Sequence, residues 1–115
     1  MEDSNQIAQR TAQIRKSLIE YCVLIICAKE SVYTGEILIQ MQEAEMIVVE
    51  GTIYPLLNRL RKEGTLDYKW VESDAGPPRK YYHLTDQGKT TLADYHKQWA
   101  QLNKTITNLK KGSKQ

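Results

Sequence analysis

The sequence contains no phenylalanine, only three prolines and only two cysteines in 115 residues. Each scarcity removes something. Without phenylalanine, the bulk of a core falls to Leu, Ile, Tyr and two Trp. With Cys22 and Cys27 alone, a disulfide framework is out of reach. Five residues apart on a helix, they stand roughly 140° around the axis and do not bridge easily. No second cysteine pair or nearby histidine completes a metal site, so both read as small buried hydrophobes. No apolar run approaches the roughly 20 residues that span a bilayer. The longest, around residues 21–28, is too short and too far in to be a signal sequence. Nothing marks export, and the expectation is a cytoplasmic protein without membrane segment or cofactor. His83 and His96 have no Cys or Ser partner at a meaningful spacing, and no glycine-rich loop is present to cradle a phosphate. Both absences argue against an enzyme.

Net charge is only +2, but it is unevenly distributed. Residues 1–50 hold 4 Lys+Arg against 8 Asp+Glu, a net of −4, whereas residues 51–115 hold 12 against 6, a net of +6. That asymmetry permits a polyanion as partner, and equally permits a solvated basic surface.

Hydrophobic periodicity supplies the framework. Ile7, Thr11, Ile14, Leu18, Cys22 and Ile25 recur at spacings of four and three, which predicts one long helix over Ser4–Lys29 with Ser4 as N-cap. Around residues 21–28 this helix becomes apolar nearly all round and should be buried on several sides. A break at residues 29–33 precedes a second helix over 34–44, with Ile37, Leu38 and Met41 inward. A connector over 45–50 carries Ile47, Val48 and Val49, expected to tuck against the core. In "GTIYPLLNRLRKEG", residues 51–64, Ile53, Leu56, Leu57 and Leu60 fit i, i+3, i+4, i+7 without a miss. Gly51 or Thr52 is the expected cap, Pro55 falls in the first turn, and Gly64 sits where a helix-ending glycine belongs.

The stretch "TLDYKWVESDAGPPRKYYHLT" then changes period. Leu66–Ser73 alternates, "DAGPP" is a turn cluster, and residues 79–84 alternate again, which predicts a β-hairpin with a long projecting tip flanked by Lys69, Arg79 and Lys80. A final helix opens at Thr85 as N-cap. Its Leu92, Tyr95, Trp99, Leu102, Ile106 and Leu109 alternate by three and four, the pattern of a coiled-coil seam. The tail "KKGSKQ" reads as frayed.

Three helices, a hairpin and a long helix describe a mainly α (α+β) chain built as a winged helix-turn-helix. In that architecture the third helix enters the major groove of double-stranded DNA and the hairpin reaches backbone or minor groove beside it. Asn58 suits adenine and Arg59 or Arg61 suits guanine, while Thr52 and Tyr54 offer hydroxyls to phosphates. Lys62, Lys69, Arg79 and Lys80 add cations. Each of these side chains also has a plainer reading as solvated surface. The seam residues, together with Ile7 and Ile14 of the first helix, predict a homodimer that reads an inverted repeat. The expected organisation is a winged-helix unit over residues 1–84, a dimerisation helix over 85–110 and a flexible tail over 111–115.

"GTIYPLLNRLRKEGTL" followed by "GPPRKYYHLTDQG" resembles the PadR family of bacterial transcriptional regulators, over about residues 33–88. The resemblance implies a dimeric repressor of a neighbouring detoxification or efflux gene that loosens from DNA when a small aromatic effector binds. It places Tyr33, Thr52, Tyr54 and Pro55 near the DNA backbone and Arg79 and Lys80 on the basic side of the wing. It matches Trp99, with Tyr95 one turn before it, to a tryptophan that flanks planar drugs between subunits in a multidrug-binding branch. The plainer reading of Trp99 is a large seam residue. The chain departs from the family at the second helix, where it reads "VYTGEI", and at Val49 and Glu50, where the family usually has Ser or Pro. The rival to a DNA reader is a winged-helix protein that contacts other proteins and acts by forming heterodimers. Such a protein should carry exposed apolar residues around Asn58 and Arg61, and this face shows few beyond Tyr54.

Overall fold

The computed structural model describes residues 3–112. Their order is α1 (Ser4–Lys29), α2 (Thr34–Glu43), α3 (Glu50–Lys62), β1 (Leu66–Ser73), β2 (Gly76–Leu84) and α4 (Asp86–Lys110). This is a winged helix with a two-stranded antiparallel sheet and a long helix at each end. No helix among the described residues is long and apolar enough to cross a membrane. Of the expected tail, residues 113–115 lie outside the described part.

The core gathers Val23, Leu24 and Cys27 of α1, Ile37 and Met41 of α2, Ile53, Leu57 and Leu60 of α3, and Leu66, Tyr82 and Leu84 of the hairpin. Leu92 closes it from α4. Leu92 was expected to start the dimer seam; instead it is 8% exposed and belongs to the protomer's own interior. Cys27 lies in the same core, where burial pushes its thiol up to about 12. Val32, in the link between α1 and α2, exchanges backbone hydrogen bonds of 3.0 and 2.7 Å with Tyr82 and adds a single bridge beside β2. Ile47 and Val49 do not tuck inward as expected. They are 67% and 64% exposed, and only Met46 and Val48 of this connector pack on the core.

Helix ends follow local hydrogen-bonding demand. The α1 cap is Asp3, one residue earlier than Ser4, because its carboxylate accepts from Gln6 N–H at 2.9 Å and Gln6 reciprocates to Asp3 N–H in a capping box. α3 starts earlier than expected as well, with Val49 as an N-cap that offers no side-chain bond. Pro55 therefore stands at the sixth helical position, in the second turn, where its absent N–H leaves the Gly51 carbonyl without its usual helical donor. The far end is a Schellman motif: Thr65 N–H donates to Leu60 O at 2.9 Å and Gly64 N–H to Arg61 O at 3.0 Å. Gly64 takes φ of +84°, a conformation that favours glycine.

Thr85 caps α4 as expected, and the cap also fastens α4 to the end of α3. Its hydroxyl accepts from Gly88 N–H at 3.0 Å and donates to Gly64 O at 2.5 Å. Gln87 Nε2 adds a bond of 3.0 Å to Glu63 O. Gly88 passes so close that a Cβ there would lie 2.1 Å from Thr65 O.

The hairpin differs from expectation at its tip. Gly76, Pro77 and Pro78 belong to β2, and the turn is only Asp74 and Ala75, with Ser73 opposite Gly76 and an irregularity between Val71 and Ser73. Both strands are edges, so the prolines need donate nothing to a further neighbour. The result is still a projecting wing, extended by paired strands rather than by a loop.

Candidate nucleic-acid interface

With Ile53, Leu57 and Leu60 buried, α3 presents two other stripes that face different neighbours. One carries Tyr54 and Asn58. These line a groove of about 480 Å³ with Tyr33, Thr34, Gly35 and Glu50 on one side and Trp70, Pro78, Arg79, Lys80 and Tyr82 of the wing on the other. The other stripe carries Thr52, Pro55 and Arg59, which face α1 across a cavity of about 350 Å³.

Cations on the groove side rest on rings. The Arg79 guanidinium carbon lies 4.3 Å from the Tyr33 ring centre, and Tyr33 in turn packs on Tyr81 at 5.5 Å. Lys80 Nζ lies 4.7 Å from Tyr68 and 5.5 Å from Trp70, and Arg61 lies 4.9 Å from Tyr68. Strand alternation explains the grouping: Tyr68, Trp70, Lys80 and Tyr82 share one face of the hairpin, and Lys69 faces outward beside Tyr81 on the other. An aromatic face orients a cation without neutralising it. Among the described residues none of Arg61, Arg79 and Lys80 is in an ion pair, so their charge remains for an external anion. Lys62 is exposed in the last turn of α3, and Tyr54 is 49% exposed.

Arg59 does not join Asn58 and Arg61. Its guanidinium pairs with Glu20 of α1 and with Glu63 at 3.0 Å, and these hydrogen bonds, Glu20 first, raise its pKa further. The other Glu20 oxygen accepts from the Tyr95 hydroxyl of α4. Burial, helped by that bond, pushes the Tyr95 phenol up to about 12. Tyr95 and Trp99 line a third cavity, of about 340 Å³, with Ser17, Leu18, Glu20, Tyr21, Gln98 and Leu102. Tyr21 meets Tyr95 edge-on at 5.6 Å, and its hydroxyl lies 2.5 Å from His96 Nδ1. Ile7, Ile14, Trp99, Leu102, Ile106 and Leu109 are each 45–66% exposed.

Sequence reading missed the ring partners Tyr68, Trp70 and Tyr81, and the acid Glu20. The strand alternation that places Lys80 beside Trp70 was available; nothing in residue spacing joins Glu20 to Arg59 and Tyr95, each from a different helix.

The model of the "Transcriptional regulator PadR-like family" matches residues 23–94. A PadR-like transcription factor from Bacteroides fragilis is 44% identical and superposes with a TM-score of 0.77, covering 88% of this chain and 98% of that one. A PadR-like transcriptional regulator from Bacillus cereus is 38% identical at the same TM-score of 0.77, covering 87% and 98%. A curated relative of uncharacterised function from Lysinibacillus sphaericus is 32% identical over 59 residues, and the match spans about half of its length, 54%. The family and these structural neighbours are regulators of transcription, not enzymes. On a family match that spans the last two turns of α1, all of α2 and α3, the whole wing and the beginning of α4, this chain belongs to the PadR-like family of transcriptional regulators.

Proposed function

We propose that this protein is a homodimeric, sequence-specific DNA-binding repressor that reads an inverted repeat, controls a neighbouring detoxification or efflux gene, and is released by a small planar aromatic effector. The observation that carries the DNA reading is the groove between α3 and the wing, lined by Arg79 and Lys80 with Arg61 beside it, all three lying over aromatic rings and, among the described residues, in no ion pair. Tyr54 and Asn58 stand on the α3 wall of the groove, within reach of a base edge or phosphate, and Tyr33 borders it with Arg79. Lys62 and Lys69 enlarge the basic rim. Thr52 and Pro55 flank the same helix start on its α1 side.

Dimerisation is supported by shape and by uncovered apolar surface. The radius of gyration is 17.1 Å, well above the ~13 Å of a compact domain this size. Trp99, Leu102, Ile106 and Leu109 of α4 stay 45–66% exposed, although α1 flanks the first two. Ile7 and Ile14 provide a second such stripe on α1. Two copies joined there would set two α3 helices on successive major grooves, about 34–36 Å apart. The effector site is the Trp99 cavity, where indole and phenol rings can stack on a flat ligand.

The test is binding to DNA from upstream of the protein's own gene, followed by fluorescence anisotropy over a salt series. Three cations from each of two protomers predict a slope of log K against log salt of about −5. A slope near zero, or binding blind to sequence, contradicts the proposal.

A further inference from the structure

Glu20 sits where two cavities and three helices meet. It belongs to α1, is only 17% exposed, and lines both the cavity behind α3 and the cavity at Trp99. One carboxylate oxygen takes the Arg59 guanidinium of α3; the other takes the Tyr95 hydroxyl of α4. Arg59 and Tyr95 share no hydrogen bond of their own, so Glu20 of α1 joins α3 to the middle of α4, apart from the bonds of Thr85 and Gln87 at the end of α3.

We infer that Glu20 is a positioning residue that holds Arg59 back from DNA, with a grip set by whether Tyr95 also donates to the same carboxylate. The inference rests on the DNA-binding reading above and adds a mechanism to it. A carboxylate shared between a phenol and a guanidinium divides its negative charge between two donors. When the phenol is withdrawn, the guanidinium becomes its main partner and the pair tightens. When the carboxylate is neutralised, Arg59 is freed from α1 and keeps only its pair with Glu63 on its own helix, which faces the duplex and leaves it half exposed already at 47%. A ligand that pushes Tyr95 aside in the Trp99 cavity would therefore strengthen the hold on Arg59 and weaken DNA binding, with no large movement of the winged unit.

Three variants test this without any ligand. Glu20→Gln keeps the shape and removes the charge; it is expected to tighten upstream-DNA binding about fivefold and to steepen the salt slope by roughly one phosphate contact per protomer. Tyr95→Phe keeps the ring and removes only the hydroxyl; it is expected to weaken binding about twofold. Both effects should vanish when Arg59→Ala is added, because coupled residues are not additive. A mere change in local field would persist in the Arg59→Ala background, and that result overturns the relay. So does Tyr95→Phe leaving affinity unchanged. Independently of DNA, the Arg59 Nε–H resonance in a nitrogen–proton correlation spectrum should shift in Tyr95→Phe and shift again, in the opposite sense, in Glu20→Gln. An unmoved resonance overturns the relay even if no DNA is bound. Failure of the unaltered protein to bind any upstream DNA overturns the repressor reading instead, and the resonance still decides the link.

Discussion

The first half of α1 and the second half of α4 are unlike everything between them. Residues 4–17 and 96–110 are exposed at every position, whereas residues 19–95 enclose the entire core. Yet the exposed segments are not polar throughout: they carry Ile7, Ile14, Trp99, Leu102, Ile106 and Leu109 at regular spacing. The contrast teaches that two separate apolar patterns are written into this chain. One is consumed within the protomer and stabilises the winged unit. The other is left on the surface, where the proposed dimer would use it. On α1 they run along one helix, Ile19, Val23, Leu24, Ile26 and Cys27 turned inward and the 7–14–18 stripe turned elsewhere.

The largest effect should come from breaking the enclosed region. Leu57→Ala removes a fully buried side chain from the centre of α3 and should lower unfolding free energy by roughly 3 kcal/mol, read by urea denaturation. A similar loss of about 3 kcal/mol is expected for Gly88→Ala, whose methyl would collide with Thr65 O unless α4 moves away. If either variant unfolds at the same urea concentration as the parent, the partition between the two regions is drawn in the wrong place.

Leu102→Lys combined with Leu109→Lys sharpens the comparison from the other side. Both residues are more than half exposed, so the winged unit should keep its fold while sedimentation shows monomers and DNA affinity falls by at least tenfold. Loss of fold in this variant would mean that the exposed stripe serves the protomer after all. The smallest effect is chemical. Cys27 lies in the enclosed region, and its thiol is held at about 12 against an ordinary 9.0. A raised pKa adds stability that is fully present below the unfolded value; as pH rises past about 9, the unfolded thiol loses its proton while the folded one keeps it. Stability should therefore decline from pH 9 toward 12, and Cys27→Ala should flatten that decline in thermal melts. At pH 8, Cys22, which is only half-buried, should react with a maleimide ahead of Cys27.

Much of the enclosed region was legible from periodicity. Ile53, Leu57 and Leu60 repeat too regularly to be anything but the inner face of a helix, and Gly64 and Thr85 mark ends by chemistry that leaves few alternatives. What escaped prediction depends on contacts between distant segments. Strand pairing beyond Pro78 is set by the partner strand, not by the prolines, so "DAGPP" looked like a loop. Leu92 fits a seam by spacing, and only the approach of the first turns of α4 to Leu84 and Thr65 draws it inside. Ile47 and Val49 are apolar but sit where the chain turns into α3, and both remain more than 60% exposed. Among the candidate DNA-binding residues, the residue types pointed to the third helix and the wing. The division of α3 into a stripe facing the wing and a stripe facing α1 required the fold.

The joint at Thr85 has a mechanical consequence. Hydrogen bonds from Thr85 and Gln87 reach the carbonyls that close α3, and Gly88 leaves no slack between them. From that fixed base, a 25-residue helix reaches ~37 Å at ~1.5 Å per residue. It is a lever arm: a tilt of about 5° at its root carries the tip ~3 Å sideways, by that same length. The angle between reading head and shaft is thus set at the root by one hydroxyl, one amide and the lack of one methyl group, and braced further along by the contacts of Tyr95 and His96 with Tyr21 and Glu20.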